Sequence, residues 1–136
     1  MRLAGAFAAL AGASCLLAAC ATTPACAPGE QAAVAELLYF GTARPGGGVV
    51  GADDWSAFLR EVVTPRFPDG LTVWPAAGQW RGADGAITRE VSHVLNLVHP
   101  PDERSEQGIR AIAAEYKQRF QQEAVLRVKS PACMSL

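Results

Sequence analysis

Charge is what the start of this 136-residue chain lacks: between Arg2 and Glu30 there is none. The uncharged stretch, LAGAFAALAGASCLLAACATTPACAPG, is rich in Ala and Gly, so it is only weakly hydrophobic, and no basic cluster follows it. A retained membrane-spanning helix is thereby disfavoured. Basic runs are missing throughout. With 12 Lys and Arg against 13 Asp and Glu and no patch of either, the composition argues against nucleic-acid partners and against electrostatic binding to a membrane. Histidine is scarce as well. His93 and His99 are the only two, and at ~3.3 Å per residue on one strand they stand about 20 Å apart, too far to share a metal ion. No metal site and no cofactor is expected.

What is present at the N-terminus is a short positive region, an apolar run and small residues, the pattern of an export signal. At the end of that run LAAC, Leu17 to Cys20, resembles the lipobox of bacterial lipoprotein signals. The resemblance implies cleavage before Cys20, acylation of its sulfur, and loss of Cys15 with the signal. The mature chain would keep 117 residues and a net charge of −2. Lipid, rather than charge, would hold it to a membrane of the cell envelope on its periplasm-facing side, since two or more acyl chains anchor stably where one does not. The organisation read from the sequence is therefore residues 1–19 as signal, 20–33 as lipidated N-terminus and linker, and 34–136 as one domain.

Cys26 and Cys133 remain. Outside the cytosol an even pair with no histidine at ligand spacing reads as a disulfide. The elements between them support that reading. AELLYFGT (Ala35–Thr42) predicts a buried strand. Trp55, Phe58, Leu59, Val62 and Val63 recur with helical spacing until Pro65. LTVW predicts a second strand and ITREVSHVLNLVH a third, antiparallel to it around Asp84 and Gly85. Ile109, Ile112, Ala113, Tyr116 and Phe120 mark a second helix after a cap at Asp102. LRVK, where Leu126 and Val128 alternate with Arg127 and Lys129, predicts an edge strand. The order β-α-β-β-α-β matches the ferredoxin-like α+β plan, a four-stranded antiparallel sheet of order 4-1-3-2 with two helices on one face. In that plan the residues before strand 1 lie beside those after strand 4, which brings Cys26 to Cys133.

Four segments, LYFGTARPGGGVV, TPRFPDGLTVWPAAGQWRGADG, SHVLNLVHP and YKQRFQQEAVLRVKSPAC, resemble a small bacterial family known as domain of unknown function 3574. The resemblance implies a secreted or lipid-anchored protein. It carries no catalytic residue over to this chain.

GGGVVG (Gly46–Gly51) has dinucleotide-fingerprint spacing, but no acid follows at the end of the next strand, so it reads as a loop. Ser92 and His93 are adjacent on a strand and point to opposite faces, so they do not form a nucleophile and base. The sheet face without helices is the more informative feature, because central strands that are apolar on both sides leave it uncovered. Tyr39, Trp74, Trp80, Glu90, His93 and Arg127 are the candidates to line it. The hairpin is expected to pair Trp80 with Arg89, Gln79 with Glu90 and Trp74 with Leu95, unless a bulge at PAAG shifts the register. Two uses follow. The face pairs with a second copy or another envelope protein in a non-enzymatic interaction domain, or it forms the pocket of a small dimeric enzyme or ligand carrier.

Overall fold

The structure, a computed structural model, describes residues 25–136; Cys20 lies outside them. Four strands and two helices follow in the order β1 (Gln31–Gly41), α1 (Ala52–Phe58), β2 (Thr72–Arg81), β3 (Ile87–His99), α2 (Glu103–Phe120) and β4 (Leu126–Met134). The strands form one antiparallel sheet of order β2-β3-β1-β4, with β1 and β3 at its centre. This is the split β-α-β-β-α-β arrangement that the periodicities predict.

Both helices pack on one side of the sheet. Leu38 and Phe40 from β1 and Leu95 and Leu97 from β3 meet Trp55 and Phe58 of α1 and Ile109, Ile112, Tyr116 and Phe120 of α2 in a single core. Phe40 is the hub, with ring centroids 4.6 Å from Tyr116 and 5.9 Å from Phe58. α1 runs on through a π-helical turn, Leu59–Val63, closed by Thr64 N–H donating to Leu59 C=O at 2.8 Å. The extra residue per turn lets Val62 and Val63 both enter the core before Pro65 ends the helix. α2 begins at Asp102, whose carboxylate accepts from Ser105 N–H at 2.7 Å, and ends at Gln121, which adopts the left-handed conformation at φ 57°.

Three boundaries differ from the sequence reading. β1 starts at Gln31, inside the expected linker, because β4 continues to Met134 and pairs with it. β2 extends through Pro75 to Arg81 with no bulge; on an edge strand a proline gives up no ladder hydrogen bond. The β2–β3 hairpin turns through three residues, with Gly82 N–H donating to Ala86 C=O at 2.9 Å and Gly85 at φ 83°. That loop is one residue off the two-residue turn expected, so the pairs are Trp80 with Thr88, Gln79 with Arg89 and Trp74 with Val94. Cys26 and Cys133 are joined, with Cα atoms 5.6 Å apart and a sequence separation of 107.

Candidate functional site

Strand alternation assigns each side chain to a face. With Leu38, Phe40, Leu95 and Leu97 on the helix side, the other side carries Tyr39, Trp74, Trp80, Glu90 and Ser92. Among all strand residues on this open side, Glu90 is the only charged one. Trp74, Trp80, Val98, Leu126 and Val128 are each 41–52% exposed there. The apolar face expected from the sequence is present.

Two expected members of that face lie on the opposite side. His93 pairs with Phe40 and stacks on Trp55 of α1, ring centroids 4.4 Å apart and planes 5° from parallel. Burial lowers its pKa. Parity decides the case: Glu90 and His93 are three residues apart on one strand and cannot share a face. Arg127 also points toward the helices. Its Nε donates to Glu36 Oε2 at 2.7 Å, its Nη2 binds Glu36 Oε1, and it donates to Glu106 Oε1 and Oε2 at 2.8 and 2.7 Å. Glu36 is wholly buried, and a buried carboxylate demands a cation. That demand inverts the edge-strand pattern, turning Arg127 inward and Leu126 and Val128 outward.

The inner cluster is a structural ion network. Glu106 also accepts from Lys129 Nζ and Arg110 Nε, each at 2.9 Å. Arg127, then Lys129 and Arg110, hold the Glu106 carboxyl below the usual carboxylate range, while Glu106 and Glu36 raise the pKa of Arg127. His99 closes the inner end, with Nδ1 donating to Pro100 C=O at 2.7 Å and Nε2 3.7 Å from Glu36 Oε1.

On the open side a cleft of about 440 Å³ lies at the hairpin end. Its floor is the sheet around Tyr39, Gly41, Gly78, Trp80 and Glu90, and its walls are the hairpin loop at Asp84 and the α2–β4 loop at Gln121–Ala124. The depression has a simple cause: Gly41 and Gly78 flank β3 on either side, opposite Ser92 and Glu90, so no side chains fill the space above them. A Cβ at Gly41 would lie 2.9 Å from Glu90 Cδ, so a side chain there would push the Glu90 carboxylate out of its place. Glu90 is anchored by Ala43 N–H, which donates to Oε2 at 2.6 Å. The wall is tied down by Gln122 Nε2 donating to Ala43 C=O at 2.7 Å and by Tyr116 O–H donating to Gly41 C=O at 2.8 Å. Sequence reasoning missed the cleft because glycines make it, and a glycine shows its role only once its neighbours are known. The Gly46–Gly48 run forms a tight loop, all three at positive φ, closed by Arg44 N–H donating to Gly48 C=O at 3.1 Å.

A family model described as "Protein of unknown function (DUF3574)" matches residues 35–136. The chain belongs to this family. No curated protein matches it by sequence. Among solved structures, a phage SAM lyase in complex with S-methyl-5'-thioadenosine is similar at TM-score 0.61 and 11% identity, over 85% of this chain and 97% of that one. A phage SAM lyase in its apo state gives a TM-score of 0.56 at 12% identity over the same shares. CutA from Synechococcus elongatus PCC7942 gives 0.51 at 13%, over 78% of this chain and 83% of that one. At such identities the likeness is one of fold.

Proposed function

We propose that this DUF3574 protein is an exported, lipid-anchored envelope protein that works as a non-enzymatic interaction domain, with its open sheet face as the contact surface. One observation carries the reading. A face spanning four strands bears a single charge, Glu90, and exposes two tryptophans and three aliphatic side chains, whereas monomeric domains rarely leave such a contiguous surface bare. The occupant we favour is a second copy. An isologous contact sets like against like, and a face with one charge does so with little repulsion.

Two further features support the tether. The Cys26–Cys133 bridge suits an oxidising compartment. An acylated Cys20 would stand six residues from bridged Cys26, a span of at most ~20 Å, which keeps the domain close to the bilayer and to neighbouring copies.

In-cell photocrosslinking from Val128, on the open face, and Gln118, on the exposed side of α2, tests the reading. Adducts from Val128 alone, at the mass of two copies, support it. An adduct with another envelope protein keeps the face as the contact surface and replaces the second copy. Equal adducts from both positions, or none from Val128, reject it.

A further inference from the structure

We infer that the cleft at the hairpin end of the open face binds a small organic cation with an apolar or aromatic body. The inference concerns one end of the face and stands whether or not a protein covers the rest.

The volume comes first. About 440 Å³ falls in the range of small-molecule sites, which combine apolar walls with a few placed polar groups. Tyr39, Trp80 and Leu126 supply the apolar surface. Aromatic faces attract cations through their ring quadrupoles, and tryptophan does so best.

The sign of the charge comes next. Glu90, Asp84 and Glu123 line the cleft, and none of them forms an ion pair among the described residues. Each accepts instead from a backbone N–H: Glu90 from Ala43, Asp84 from Ala86 and Glu123 from Ala83. Those bonds fix the carboxylates without neutralising them. Arg44, the one cation among the described residues of the lining, gives its Nη2 to Asp54 at 2.7 Å, while its Nε is buried without a protein partner. Glu90 sits nearest the floor, and its Oε1 has no protein donor among the described residues. A ligand ammonium or guanidinium would find there an aromatic wall and a positioned carboxylate oxygen, whereas an anion would meet three negative groups.

Gly78 supplies a test that separates binding from folding. A Cβ there meets only Ser92 Oγ, at 3.9 Å, and the residue is extended on an edge strand. Gly78→Val therefore fills the cleft while favouring the strand.

The experiment is calorimetric titration of the full chain in non-ionic detergent with benzylammonium, benzyl alcohol and benzoate, three ligands of one shape and different charge. Saturable binding of benzylammonium about tenfold tighter than benzyl alcohol, with benzoate weakest, is expected. Glu90→Gln should remove most of that preference, and Gly78→Val should abolish binding while circular dichroism and melting temperature hold or rise. Absence of benzylammonium binding to the wild-type chain, equal affinity for all three ligands, or preference for benzoate overturns the inference without any variant. Unchanged affinity in a folded Gly78→Val protein also overturns it.

Discussion

Arg127 is paired across the ladder with Leu38, yet its guanidinium reaches back along β1 to grip both carboxylate oxygens of Glu36. Glu36 is completely buried, so the pair is held by necessity rather than by surplus stability. Arg127→Met should cost about 3–5 kcal/mol, because it strands a buried charge. The combined Glu36→Leu and Arg127→Met protein should recover most or all of that loss. Urea unfolding of the four proteins of this cycle checks the prediction; equal losses in the single and double variants would remove it.

Gly41 and Glu90 make a second coupled pair. Gly41→Ala forces the Glu90 carboxylate away, and the hydrogen bond from Ala43 N–H goes with it. The expected loss is about 1 kcal/mol, the net worth of one such bond. In a Glu90→Ala background the same substitution should be close to neutral, and a double-mutant cycle measures the difference.

His93 predicts a pH dependence. Burial against Trp55 holds its pKa below the ordinary value of 6.5, so the unfolded chain binds the proton more readily than the folded one. Stability is then retained above about pH 6.5 and falls as the pH drops below it. Glu61 and Glu106 have lowered pKa values, so their contribution is lost only further down, below the unfolded carboxylate range near 4.5. His93→Phe keeps a ring on Trp55 and should flatten the melting-temperature profile in the upper window alone.

The element order and sheet order were legible because they rest on signals that burial imposes locally: apolar repeats at helical spacing from Trp55 to Val63 and from Ile109 to Phe120, and turn residues at Asp84 and Gly85. The disulfide partners were legible from topology. What escaped depended on neighbours in space. Pro75 reads as a strand end until its strand is known to lie at an edge. The hairpin register turned on whether the loop held two residues or three, and a one-residue step reassigns every cross-strand pair. Arg127 reads as outward until Glu36, buried in the middle of AELLYF, is recognised as a group that must draw a cation. The cleft was invisible because it consists of what Gly41 and Gly78 leave out.

The bridge and the tether share one test. Intact mass of membrane-extracted protein should show cleavage before Cys20, added acyl chains, and a gain of two hydrogens on reduction. The bridge closes a loop of 107 residues, so Cys133→Ser should lower stability by about 4.7 kcal/mol in the chain-entropy treatment. An uncleaved, unacylated chain would contradict the tether.

Tryptophan footprinting reads the open face most directly. The chain has three tryptophans: Trp55 is buried at 6% exposure and serves as the internal reference, while Trp74 and Trp80 are 41% and 46% exposed. Hydroxyl-radical oxidation of the dilute purified protein should modify Trp74 and Trp80 and spare Trp55. In intact envelopes Trp74 should become as protected as Trp55. Equal oxidation of Trp74 in envelopes and in dilute solution would show the face to be bare and contradict its role as a contact surface.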